Sequence, residues 1–327
     1  MPSGREGGYC TPPSLVGYSI AAKRPSEKHE PPSLQAVRLE TTRACSLRCF
    51  HCRNRFGDYN HVETPFERLV DVLSAAAGLG ARSVILGGEG EPTLHSRFGD
   101  IIDAVHSLGM VPVVVSNCLN MRPKLARFLF QRQASIVCKI GSLRPDVQDR
   151  MSGVVGSHAK MRAGMDHLLG AGFGHSNDAL HLRLGASFPL CRMNLEEAGV
   201  IWRFLRSNGV FPEVRLLTAP VLADPALLGQ LLSAAEIRDC LSMLLDQDRR
   251  EYGYSWSPHA LPVNPARPGQ ACVPHMTVQG YVRPCALLEL ENHAFLGEKS
   301  DQAFNVHSRS PWEILTDVMT GHPRPWS

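Results

Sequence analysis

The chain has 327 residues, 43% of them hydrophobic and 20% charged, with a formal net charge of +3. That length accommodates one large α/β domain with a small appendage. The weak charge, with no Lys/Arg run interleaved with aromatics, speaks against nucleic acid or an anionic membrane as partner. No apolar run reaches the roughly 20 residues of a membrane span. The 10 cysteines are clustered, which points to metal and a reducing cytoplasm rather than to disulfides.

Residues 1–34 are rich in Pro, Gly and Ser and repeat PPSL at 12–15 and 31–34, which predicts a disordered arm with little to bury. Its apolar stretch Leu15–Ala22 follows Pro2, Gly4, Glu6 and Gly7 rather than a basic leader, unlike a secretory signal. From Gln35 onward, short apolar runs alternate with helical patterns. Strands are predicted at 36–41, 83–86, 112–116, 135–140, 180–188 and 213–217. Helices are predicted at 64–79, 97–108, 123–132, 160–169 and 195–207. This alternation is the pattern of repeated βα units, and six of them make an α/β fold, a partial (β/α)6 TIM-like barrel, over 35–235. A longer helix at 234–251 and a linker carrying Pro258, Pro262, Pro265 and Pro268 fill 236–270, and 271–327 form a small C-terminal module.

Strands of a closed parallel barrel are usually apolar on both faces. Several here alternate instead. His181, Arg183, Gly185 and Ser187 share one predicted face, Lys139 opposes Cys138 and Ile140, and Glu213 with Arg215 opposes Val214 and Leu216. The apolar faces should meet the helices and leave a polar lumen.

The first strand leads into Cys45, Cys49 and Cys52, spaced C-x3-C-x2-C. Thiolates are the ligands of iron–sulfur clusters, and three of them leave one iron of a four-iron cluster open. A zinc site would want a fourth ligand and a repeated C-x2-C, and none follows nearby. The second strand runs into Gly87, Gly88, Glu89, Gly90, Glu91 and Pro92. Such glycines bring backbone groups close to a ligand, and the carboxylates can receive an ammonium group.

Together these motifs resemble the radical S-adenosylmethionine (SAM) superfamily over residues 36–217. The resemblance implies that Cys45, Cys49 and Cys52 hold a [4Fe-4S] cluster whose open iron is chelated by SAM. It also implies that Gly88, Glu89, Gly90 and Glu91 bind the SAM amino group, with Glu91 favoured, and that His51 stands beside the adenine. Ser116 and Asn117 match the family's ribose-contacting pair, Ser142 lies in the loop after the fourth strand, and Arg183 or Ser187 would meet the SAM carboxylate. The implied chemistry begins with a one-electron donor such as flavodoxin or ferredoxin. SAM is cleaved to a 5′-deoxyadenosyl radical that takes a hydrogen atom from the substrate.

Cys272 and Cys285, with Gly280 between them, resemble the opening of the SPASM/twitch extensions, as does the tail from Phe295 to Trp312. Two thiols are half of what a four-iron cluster needs. A cluster-free SPASM-like module is therefore favoured, and the alternative is a second iron–sulfur cluster completed by His275 with Cys240 or Cys191. One cluster favours a redox-neutral decarboxylation, epimerisation or dehydration, with Cys118 or Cys191 as hydrogen-atom donors on the barrel rim. The short N-terminal arm stands where peptide-modifying relatives carry a leader-binding domain, so a small-molecule substrate is expected. Lys139 and Arg215 should bind its anionic group. A nucleoside uronate or aminoglycoside in natural-product (antibiotic) biosynthesis fits. The alternatives are a two-electron dehydrogenase with an auxiliary cluster, a peptide maturase, and a non-catalytic zinc- or SAM-binding protein.

Overall fold

A computed structural model describes residues 10–18, 34–52, 62–174, 180–217, 225–256, 263–264, 273–283, 306 and 309–320. Cys272, Cys285 and much of the 295–312 tail lie outside the described residues.

All six predicted strands form. β2 (Ala36–Leu39), β3 (Ser83–Leu86), β4 (Val111–Ser116), β5 (Ser135–Lys139), β7 (Leu184–Leu190) and β8 (Phe211–Leu216) pair in that order, every neighbour parallel. At one edge β9 (Val263–Asn264) joins β8, and at the other β10 (His275–Met276) joins β2, both parallel. β11 (Val282–Arg283) continues outside β10 as an antiparallel strand. The stretch predicted as linker thus lends one strand to the barrel sheet, and the predicted C-terminal module lends two.

Helices α1 (Phe66–Gly78), α2 (Phe98–Ser107), α3 (Pro123–Gln131), α5 (Ser157–Gly170) and α6 (Ala198–Ser207) cover the outer face. In α1 the stripe Leu69, Val72, Leu73 and Ala76 is buried, the spacing of a helix with one apolar side. After the short α7 (Pro225–Leu228), α8 (Ala234–Gln247) opens with a capping box in which Ser233 and Glu236 satisfy each other's backbone N–H groups. α9 (Pro311–Thr320) lies on α1, where Gly78 makes room for the Trp312 ring: a Cβ there would come within 2.6 Å of it. α4 (Pro145–Ser152) lies outside the predicted set.

The strands sort their side chains as the alternation predicts. Cys138, Ile140 and Val214 belong to the helix-facing core, whereas Ile85, Val113, Val137 and Phe211 form a separate inner cluster. Two expectations are corrected. First, residues 10–18 are not a detached arm. Ser14–Leu15 (β1) pairs with His181–Leu182 (β6), Ser83 donates its hydroxyl to the Gly17 carbonyl at 2.7 Å, and Leu15, 1% exposed, fills the lower lumen against Gly185. Burying that leucine contributes about 2 kcal/mol, which the low overall hydrophobicity of the arm conceals. Second, Arg183 does not face the lumen. The chain breaks between β6 and β7, so Leu182 points inward while Leu184 points to the helices. A one-residue interruption exchanges the faces of everything beyond it. Arg183 turns out over the end of α3, donating to the carbonyls of Phe130 (3.0 Å) and Ala134 (2.9 Å) and lying over the Phe130 and Phe173 rings.

Candidate active site

The cysteine loop leaves β2 at the C-terminal edge of the sheet, and α4 holds it. Arg48 and Phe50 donate their backbone N–H groups to the carbonyls of Ser152 (2.9 Å) and Met151 (3.1 Å), the open end of that helix. Gly153 ends α4 in the left-handed conformation, φ 70°, and a Cβ on it would sit 2.6 Å from the Arg48 carbonyl oxygen. Pro145 at the helix start and Gly153 just past its end are the local signals that could have revealed α4.

The glycine-rich loop after β3 lies directly against the cysteine loop. Glu91 donates its N–H to the Ala44 carbonyl at 2.8 Å, and the Cys52 thiol is 3.8 Å from the Glu89 carbonyl. Gly90 is required there, because a Cβ would overlap the Thr42 carbonyl oxygen. Gly88 packs against the Glu40 side chain in the same way. Sequence reasoning missed Glu40. Its buried carboxylate accepts from the N–H of Glu89 at 2.8 Å and of Val278 at 3.0 Å, joining the loop to the stretch after β10.

Three cysteines converge on this cradle. Cys45 is 3.8 Å from the Asn117 amide nitrogen, and Cys49 is pushed up to about 12 by burial and by the neighbouring Cys52 and Cys45. Thiols that crowd one another this way resist ionising alone, and a positively charged metal core removes that resistance. The donor set therefore fits a thiolate-bound cluster. Among the described residues no three His, Cys, Asp or Glu side chains are placed to hold a single metal ion.

The two glutamates of the loop are both engaged. Glu89 pairs with Arg43 at 2.8 Å. Glu91 is 2% exposed, and its carboxylate accepts from the Thr93 hydroxyl (2.7 Å), the Ser116 hydroxyl (2.8 Å) and the Asn117 N–H (2.7 Å). Burial pushes Glu91 up although these donors pull it down. Its carboxylate ties the loop to the end of β4, leaving the backbone of Gly88, Glu89 and Gly90 as the part of the loop beside the cysteines. Ser142 is similarly occupied, donating to Glu197 while its N–H meets Gln148.

Two thiols read from the sequence as rim donors are buried. Cys118 is 0% exposed and packs its sulfur on Cys138 in the helix-facing core, because its backbone turns to φ 62° just past β4. Cys191 is also 0% exposed, packed with Val147 and Met151 of α4.

Below the cysteines the lumen is polar. His51 lies edge-on to Phe50, and burial, with Arg215 and Lys139 nearby, lowers it to about 3, so its ring is neutral. Lys139 stands among Arg215, Glu213, Arg38 and Cys49, and burial followed by Arg215 lowers it to about 7. Glu213 accepts a hydrogen bond from Tyr18 at 2.8 Å. Ser187 is buried and its hydroxyl makes no hydrogen bond.

Residues 39–187 match the model of the radical SAM superfamily. That stretch, just under half of the chain, is similar to a radical SAM domain. Solved structures of the same fold include SuiB of Streptococcus suis bound to S-adenosylmethionine, 12% identical over 90% of this chain and 68% of that one, TM-score 0.69. SuiB bound to its precursor peptide SuiA is 13% identical over 90% of this chain and 67% of that one, TM-score 0.66. The anSMEcpe structure with bound AdoMet is 11% identical over 86% of this chain and 77% of that one, TM-score 0.65. No curated protein matches the chain. The domain is that of an enzyme superfamily that works with a [4Fe-4S] cluster and SAM.

Proposed function

We propose that this radical SAM enzyme acts on a small sugar-containing metabolite of the nucleoside-uronate or aminoglycoside type, through a redox-neutral decarboxylation, epimerisation or dehydration in natural-product biosynthesis. The observation that carries the substrate class is the polar layer of Lys139, Ser187, Glu213 and Arg215 in a lumen whose lower part is filled by Leu15. Cys45, Cys49 and Cys52 would hold the cluster. The backbone of Gly88, Glu89 and Gly90 would receive the SAM amino group, His51 and Asn117 would contact its adenosine, and Ser187 would stand near its carboxylate. When bound, the cluster and SAM supply the 5′-deoxyadenosyl radical that takes a hydrogen atom from the substrate. The chain's own residues orient the substrate C–H and exclude water. Glu91 fixes the SAM loop against β4, and the N-terminal segment seals the lumen from below.

A peptide substrate, such as the precursor peptide bound by SuiB, is the second reading and rests on the shared fold alone. A dehydrogenase using an auxiliary cluster at Cys272 and Cys285 is the alternative reaction. The deciding experiment is anaerobic reconstitution followed by reduction with SAM and a panel of uronates and amino sugars. Release of 5′-deoxyadenosine, increased by one class of compound, is expected. A protein that binds zinc without sulfide and releases no 5′-deoxyadenosine would overturn the proposal.

A further inference from the structure

We infer that Glu213, held by Tyr18, accepts a hydrogen bond from a substrate hydroxyl, and that Lys139 and Arg215 receive an anionic group of the same molecule. On the proposed function above, this makes the substrate a hydroxylated anion of the uronate kind and not a polyamine.

Glu213 is 6% exposed on the lumen face of β8. One carboxylate oxygen takes the Tyr18 hydroxyl at 2.8 Å, and the other has no hydrogen-bond partner. Its register partner across β7 is Ser187, 0% exposed, whose hydroxyl is also unpartnered. On the far side, Ser187 is in register with Lys139. Three adjacent strands thus place a carboxylate, a hydroxyl and a lysine amine in one row facing the lumen. Buried polar atoms almost always find partners, so two orphans in register on adjacent strands mark where a ligand supplies them.

Charge selects the ligand. Arg215 and Arg38 both act on Lys139, with Glu213 as the carboxylate among them. An amine brought to Glu213 would meet the charge of Arg215 and Arg38, and of Lys139 when protonated, whereas a hydroxyl donates without adding charge. The same cations attract a carboxylate or phosphate, which guanidinium groups match in shape. Tyr18 comes from the segment that closes the lumen, next to Leu15 and Gly17. It fixes the rotamer of Glu213 and makes the N-terminal segment part of the substrate site.

The test is calorimetry on the reconstituted holoenzyme with SAM, using D-glucuronate, each of its monodeoxy analogues and D-glucosamine. Wild type should bind glucuronate more tightly than glucosamine and discriminate against one monodeoxy analogue on the order of tenfold. In Glu213→Gln that discrimination should fall below about threefold, with Tyr18→Phe in between. Both variants should retain wild-type SAM binding, which shows that they are folded. Discrimination that survives in Glu213→Gln, tighter binding of glucosamine, or no binding of any probe overturns the inference. Release of 5′-deoxyadenosine on the same samples separates the two proposals: release without discrimination sinks this subsite alone, and no release sinks the larger one.

Discussion

A lysine in water keeps its proton to about pH 10.4, but Lys139 is lowered to about 7, chiefly by burial and then by Arg215. Between those values the unfolded chain binds a proton that the folded chain lacks, so stability rises with pH across this window. Below pH 7 the folded protein carries the whole penalty of a desolvated cation. Lys139→Met should therefore stabilise the cluster-free protein by on the order of 2 kcal/mol near pH 6, a figure reduced because the side chain is partly solvated, with little gain left near pH 10. Urea denaturation at both pH values measures this, and a gain that grows with pH would refute it. Position in the lumen also explains why Lys139 was legible from the sequence and Arg183 was not. Alternation places a side chain correctly until the strand is interrupted, and the break that turned Arg183 outward leaves no mark in HLRLGASF.

At the scale of elements, two contacts decide whether the site forms. Gly90 lets the loop after β3 lie against the backbone of the cysteine loop. Gly90→Ala should leave the barrel folded, with melting close to wild type, while iron incorporation falls several-fold. Full iron loading in that variant would show that the two loops can separate without loss. The second contact is at the other end of the barrel. Asp248, 0% exposed in the turn after α8, accepts from the Trp202 indole (2.6 Å), the Trp256 indole (2.7 Å) and the Arg206 guanidinium (3.0 Å). Arg206 also lies over the rings of Trp202, Tyr254 and Trp256. Asp248→Asn keeps the shape but leaves a buried guanidinium without its counter-charge, which costs about 3–5 kcal/mol. Chemical denaturation should register that loss, and a change below about 1 kcal/mol would mean that water reaches Arg206. The turn after α8 pairs with the N-terminal segment through Cys10 and Gly253 (3.0 Å), so the variant should also loosen the floor of the lumen.

For the whole molecule, the number of clusters separates the proposed redox-neutral reaction from the dehydrogenase alternative. Replacing Cys45, Cys49 and Cys52 together by alanine should abolish all iron and sulfide in a single-cluster enzyme. Residual brown colour with stoichiometric sulfide would establish a second cluster. The described part of the C-terminal stretch bears on this site whatever the count. β10 lengthens the sheet beside β2, and Val278 reaches Glu40, which in turn holds the loop that carries Gly88 and Glu89. No helix among the described residues is long and apolar enough to cross a membrane.

The sequence by itself determined the order of strands, the helix-facing and lumen-facing sides of β5 and β8, and the two loops that meet at the site. Those features are local: an apolar period of two, thiols at fixed spacing and glycines beside them are properties of a few neighbouring residues. Tertiary structure alone decided that Leu15 and Tyr18 enter the barrel, that Glu91 is spent on β4, that Cys118 turns to the core and that Glu213 keeps one oxygen free. Each of those outcomes depends on which distant residue occupies the adjoining space. Tyr18 and Glu213 lie 195 positions apart, and only the folded barrel brings the phenol to the carboxylate.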